Sequence, residues 1–132
     1  RWLRENTPPS SVVASWWDHG FEIAHLGRRA VLADGSLWGA NGTQLAHLAE
    51  ALLSPEQLGC EILKEMHANY VLTIFGGLMG EPSDDLSKAS WMSRVAQLPS
   101  GNIRNDTLLY KLAYYRYGTM KVDGYLGLDR VR

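Results

Sequence analysis

A single cysteine, Cys60, in 132 residues excludes an internal disulfide. Thirteen basic against fourteen acidic side chains leave a net charge of −1, so there is no basic footprint for nucleic acid or an anionic membrane surface. Long apolar runs are also missing. The most apolar stretch, from Tyr70 to Gly80, holds three glycines and is too short to span a bilayer. No Ser-His-Asp set, paired carboxylates or Cys/His cluster is legible, which leaves an independent hydrolase without support. Cys60 falls mid-helix and reads as a core residue rather than a nucleophile. There is no internal repeat and no low-complexity segment. The rest is an ordinary globular composition, 45% apolar and 20% charged, at a length that makes one domain over residues 1–132 with a real core. The chain begins at Arg1 rather than Met, with no signal peptide, and is expected to be a fragment of something longer or a trimmed piece.

The pattern along the chain alternates strand and helix signals. Trp2 to Asn6 reads as a helix tail stopped by Pro8-Pro9. Val12 to Trp16 is Val-rich and reads as a strand; residues 20–26 form a short helix; Arg29 to Ala33 is a second apolar run closed by Asp34-Gly35. Thr43 can cap a helix through Leu53 with Leu45, Leu48, Ala49 and Leu52 on one face. Ser54-Pro55-Glu56-Gln57 has the form of a capping box, ahead of a stripe of Leu58, Ile62, Leu63 and Met66. Asn69 to Phe75 is the clearest strand. Gly76, Gly77 and Gly80 then mark a loop over 76–83, expected to be mobile. Helices are predicted from Ser83 to about Gln97 and from Asp106 to Tyr117, with an unstructured tail from Lys121. The expected fold is mixed α/β, a helix-rich domain around a small, partly parallel β-sheet.

Among what is present, the run Trp16-Trp17-Asp18-His19-Gly20 is the most informative. It follows a strand and precedes a glycine, here read as permitting a sharp turn, and so sits where scaffolds carry binding residues. Each indole offers one N–H donor, and an ionised Asp offers only acceptors. Together they suit a small group that both donates and accepts, such as a hydroxyl. Without further context, paired tryptophans are core or interface residues. His19, Glu22 and His25 do not have a known metal-ligand spacing. Tyr110, Tyr114, Tyr115 and Tyr117 fall at helical spacing and read as packing rather than a sugar platform. Two tripeptides, Asn41-Gly42-Thr43 and Asn105-Asp106-Thr107, are N-glycosylation sequons.

The run at 16–20, with Ser15 before it and Phe21-Glu22-Ile23 after it, resembles the Trp-Trp-Asp-Tyr-Gly motif of the oligosaccharyltransferase catalytic-subunit family (STT3, AglB and PglB). Tyr70 to Gly77 is similar to that family's core strand. Asp85, Lys88 and Met92 fit its DK motif, and Thr107 to Gly118 resembles the eukaryotic form. The resemblance runs from about Trp2 to Arg132. Three features depart from it: His19 stands where the family usually has Tyr, the loop between Trp38 and Thr43 is slightly long, and the segment between Gln97 and Thr107 is short.

The resemblance implies the lumenal C-terminal core domain of an endoplasmic-reticulum membrane glycosyltransferase. Such an enzyme moves an oligosaccharide from a lipid-linked pyrophosphate carrier to Asn in an Asn-X-Ser/Thr acceptor polypeptide. It implies that Trp16, Trp17 and Asp18 bind the Ser/Thr hydroxyl, while Asp85 and Lys88 fix the geometry. These two and Met92, spaced i, i+3, i+7, would share a helix face, with Met92 against the methyl of a sequon Thr. Mn²⁺ or Mg²⁺ would be held by ligands outside this fragment, leaving it without catalytic or metal-binding residues of its own and inactive alone. Attachment to the membrane would run through a missing N-terminal part, and accessory oligosaccharyltransferase subunits are implied partners. Asn41, in a stretch that is glycosylated in relatives, is the better of the two sequons for a glycan. The competing reading is a non-catalytic Ser/Thr-peptide-binding module using the same pocket.

Overall fold

A computed structural model describes residues 1–38, 42–74, 84–99 and 105–115. Asn41, the loop over 76–83, Tyr117 and the tail from Lys121 lie outside the described residues.

The frame is a three-stranded sheet in the order β2-β1-β3, with both pairings parallel. β1 is Val12–Ala14, β2 is Ala30–Val31 and β3 is Tyr70–Val71. Val12 lies opposite Ala30, and Val13 lies between Val31 and Tyr70. Ladder bonds run one residue past the short strands: Leu32 N–H donates to Val13 O and Leu72 N–H to Ala14 O. Val13 and Ala14 are completely buried, as a central parallel strand covered on both faces requires. The strands are shorter than the sequence runs suggest. The apolar run after β1 is spent on turning into the site rather than on pairing.

Helices complete the core. α1 is Trp2–Asn6, α2 is Gly20–His25, α3 is Gly42–Leu53, α4 is Glu56–Glu65, α5 is Ala89–Val95 and α6 is Leu108–Ala113. α3 is central and packs on α4, α5 and α6. Leu45, Leu48, Ala49 and Leu52 are buried as their spacing predicts, joined by Ala51. In α4 the stripe is rotated from expectation: Leu58 is 47% exposed, and Gly59 and Leu63 face inward. The reason is close approach, since a Cβ on Gly59 would lie 2.3 Å from Ala51 O. Ser54 does not cap α4. It is buried and its carbonyl accepts from Leu108 N–H, so it stitches α4 to α6. Thr107 caps α6 through its hydroxyl, which accepts from Tyr110 N–H.

Arg29 secures the other flank. Its buried guanidinium donates to the carbonyls of Arg4 and Thr7, to Thr7 Oγ1, and to the carbonyls of Gly27 and Arg28. A planar fork with five N–H donors can satisfy this many carbonyls at once. It ties α1 to the turn leading into β2.

Candidate functional site

β1 is central, and its neighbours on either side are reached in opposite directions: β2 follows it, and β3 returns to its other edge. In an open parallel sheet, the carboxyl ends of strands flanking such a switch point form a natural crevice. Two segments emerge there.

The first leaves β1 through Ser15 and Trp16 and winds into a 3-10 helix, Trp17–His19, that runs directly into α2. Gly20 sits in an ordinary right-handed helical conformation, φ −59° and ψ −45°. The glycine is therefore required by packing rather than by a turn: a Cβ there would lie 2.2 Å from Ala33 O and 2.6 Å from Asp34 Cα. The second segment follows β3. Asp84 caps a 3-10 helix, Asp85–Lys88, by accepting from Leu86 N–H at 2.8 Å, and α5 follows at once. Asp85 locks this helix to the strand end: its N–H donates to Ile74 O at 2.9 Å, and its Oδ2 accepts from Ile74 N–H at 2.7 Å.

The segments meet through four side chains. Lys88 Nζ lies 2.6 Å from Asp18 Oδ2 and 3.0 Å from Asp85 Oδ1. His19 Nε2 lies 3.1 Å from Asp85 Oδ1, 3.5 Å from Asp18 Oδ1 and 3.4 Å from Lys88 Nζ. Asp85 is buried, His19 nearly so, and Asp18 keeps an open face. Burial pushes Asp85 up, but donors from His19, Ile74 and Lys88 more than reverse this and hold its carboxyl below the usual range. Burial pulls Lys88 down, and the hydrogen bonds it donates to Asp18 and Asp85 override this, holding the ammonium above its ordinary value. The site therefore holds the Lys88 ammonium between the carboxyl groups of Asp18 and Asp85.

Among the described residues Asp18, His19 and Asp85 form the cluster whose ligand atoms come within 4.8 Å of one another. It does not fit a divalent metal, because the Lys88 ammonium already stands against both carboxylates. A second cation would have to displace it or face its charge.

The remaining predicted residues fall at graded depth. Trp16 is 2% exposed and belongs to the core; Trp17 is half-buried and packs against that core. Met92 lies on α5 and is completely buried among core side chains, while Asp85 and Lys88 are in the 3-10 turn before it rather than on one continuous α-helix. Asn105 is exposed in the turn before α6. Glu22 and His25 are exposed, and His25 stacks on Phe21 away from the cluster. His19 is the member that residue-type reasoning overlooked. The available signal was its position between Asp18 and the tightly packed Gly20. No helix among the described residues is long and apolar enough to cross a membrane.

No family model matches the chain. Over 99% of its length it is 39% identical to the dolichyl-diphosphooligosaccharide–protein glycosyltransferase subunit STT3A of Oryza sativa subsp. japonica and 38% identical to that plant's STT3B. It is 36% identical to subunit stt-3 of Caenorhabditis elegans, again over 99% of the chain. The chain spans about one-fifth of the length of these curated relatives, 19% to 21%. Its fold is similar to the crystal structure of the C-terminal globular domain of the oligosaccharyltransferase AglB from Archaeoglobus fulgidus. The TM-score is 0.63 at 23% identity, covering 91% of this chain and 81% of that one.

Proposed function

This chain is homologous over nearly its whole length to STT3 subunits of dolichyl-diphosphooligosaccharide–protein glycosyltransferase, and from that premise we propose that it is the domain that reads the Asn-X-Ser/Thr acceptor. The observation that carries the reading is the placement of Asp18. Its carboxyl group keeps an exposed side where β1 ends, held from behind by Lys88 and beside the partly buried Trp17. A Ser or Thr hydroxyl approaching it donates its proton to the carboxylate. The Trp17 indole forms the adjoining wall, and Trp16 holds the loop from below. A peptide lacking the hydroxyl covers Asp18 without replacing the water hydrogen bond it displaces, which costs about 1–3 kcal/mol. Discrimination therefore comes from the missing hydrogen bond rather than from size.

Asp85 and Lys88 orient this carboxylate. Met92, wholly within the core, acts on the sequon side chain only by supporting the floor beneath it. The lipid-linked oligosaccharide and the Mn²⁺ or Mg²⁺ that assists pyrophosphate departure belong to the membrane part of the full-length enzyme. The Asp18, His19 and Asp85 cluster, with the Lys88 ammonium against both carboxyl groups, does not suit that ion. The domain's place is the lumenal side of the endoplasmic reticulum membrane, where accessory oligosaccharyltransferase subunits are its neighbours. Asn41 and Asn105 are glycan acceptors in their own right.

The test is glycan transfer by the full-length protein to Asn-X-Thr and Asn-X-Ala peptides, with wild type beside Asp18→Ala. Transfer that favours the Thr peptide over the Ala peptide, with that preference lost in the variant, supports the reading. Transfer that ignores the Ala change, or a preference that survives Asp18→Ala, refutes it.

A further inference from the structure

We propose that His19 is a positioning residue of this acceptor site, setting how the Lys88 ammonium is shared between Asp85 and Asp18. The inference rests on the acceptor reading of Asp18 given above and concerns what keeps that carboxylate in place.

Three contacts converge on one ring nitrogen. His19 Nε2 is 3.1 Å from Asp85 Oδ1, 3.4 Å from Lys88 Nζ and 3.5 Å from Asp18 Oδ1. Nε2 carries at most one hydrogen. The shortest contact, to a buried carboxylate, takes it, so His19 donates to Asp85. The opposite tautomer would set a ring lone pair against a carboxylate oxygen in a water-poor site, which is unfavourable. Lys88 then stands beside a donor and cannot donate to the ring. Its hydrogens go to Asp85 Oδ1 and Asp18 Oδ2.

His19 thus takes a share of Asp85. The Oδ2 of Asp85 is committed to Ile74 N–H, and its Oδ1 accepts from both His19 and Lys88. With His19 absent, Oδ1 is open to a second contact from the ammonium. The buried carboxylate attracts more strongly than the exposed one because less water screens it. Lys88 moves inward, and its 2.6 Å bond to Asp18 is lost. Asp18, at the exposed end of the relay, loses the partner that fixes its rotamer. The ring at position 19 therefore acts on the acceptor hydroxyl through two intermediaries, without touching it.

The experiment compares steady-state transfer by the full-length enzyme for His19→Leu and His19→Gln, using paired Asn-X-Thr and Asn-X-Ala peptides. Gln carries an amide N–H at nearly the reach of Nε2; Leu carries none. In His19→Leu the Thr-to-Ala ratio of kcat/KM is expected to fall about tenfold, mostly as raised KM for the Thr peptide. In His19→Gln it is expected to return to within about threefold of wild type. A general folding defect lowers both peptides alike and leaves the ratio unchanged. His19→Asn, polar but too short to reach Asp85, substitutes if the Leu variant does not fold. A wild-type ratio in His19→Leu or His19→Asn overturns the proposal, as does a ratio that Gln fails to restore. Asp18→Ala is run alongside. If that variant keeps the ratio, the acceptor reading itself falls and takes this proposal with it; if only the His19 variants keep it, the positioning role alone is wrong.

Discussion

Lys88 and Asp18, seventy positions apart in the chain, are joined by a 2.6 Å hydrogen bond that holds together the two segments leaving β1 and β3. The same ammonium reaches Asp85 at 3.0 Å within its own 3-10 turn. The bond is therefore a join between two adjacent strand ends as well as an ion pair.

Removing that join is the first test. Lys88→Met leaves Asp85 buried with one cationic donor fewer and Asp18 unrestrained. Transfer to Asn-X-Thr peptides is expected to fall at least about tenfold in kcat/KM, with the domain destabilised by about 3 kcal/mol. Lys88→Arg keeps the charge but presents a fork rather than a point, and should recover stability better than activity. Peptide kinetics beside urea unfolding separates the two effects.

Asp85 gives the chain an acid-side stability term. Its folded carboxyl lies below the ordinary value of 3.8, despite burial, because His19, Ile74 and Lys88 donate to it. A group depressed on folding stabilises the fold at every pH above its unfolded value. That contribution is withdrawn as pH falls through 3.8 toward the lower folded value. Unfolding free energy measured between pH 7 and pH 3 should therefore drop more steeply for wild type than for Asp85→Asn. Asp85→Asn should start lower at pH 7 by about 1–3 kcal/mol, because its amide cannot satisfy both Ile74 N–H and the donors opposite.

Gly20 offers a test of packing independent of the charges. A Cβ at this position meets backbone, Ala33 O at 2.2 Å, and backbone cannot rotate away. Gly20→Ala should destabilise by about 2 kcal/mol or more, although alanine is the better helix former and φ is −59°. An increase in melting temperature would contradict this account.

These cases show which parts of the fold were legible. The α3 stripe was readable because Leu45, Leu48, Ala49 and Leu52 repeat at helical spacing and all four bury. The strands were readable by type but not by extent, since the ladder ends once Leu32 and Leu72 have donated to β1 and Ser15 leads toward the site. Gly20, Ser54 and the α4 stripe depart from the sequence reading for one common reason. Each is set by a partner in another segment: Ala33 for Gly20, Leu108 for Ser54, and Ala51 for the Gly59 that turns the stripe. Local propensity has no access to such partners. The family resemblance singled out Asp18, Asp85 and Lys88, and the fold brings their side chains together. The coupling of His19 to Asp85 was not, because it exists only once β1 and β3 lie side by side.

Met92 separates two roles that the DK spacing leaves merged. The spacing puts it on the acceptor side with Asp85 and Lys88, whereas its side chain is completely enclosed by core residues. Met92→Ala should cost about 2–5 kcal/mol through lost burial and the cavity left behind. Met92→Leu, nearly equal in volume, should cost less than about 1.5 kcal/mol. If Met92 acts on the acceptor only by supporting the floor, Met92→Leu keeps the preference for Thr over Ser peptides at its wild-type value. If its methyl end meets the Thr methyl directly, the branched replacement withdraws that contact. The preference, set by roughly one methyl group or about 1 kcal/mol, then falls toward unity even though the fold is intact. Relative kcat/KM for matched Asn-X-Thr and Asn-X-Ser peptides, measured on Met92→Leu at a temperature where wild type and variant are both fully folded, distinguishes a buried support from a specificity contact.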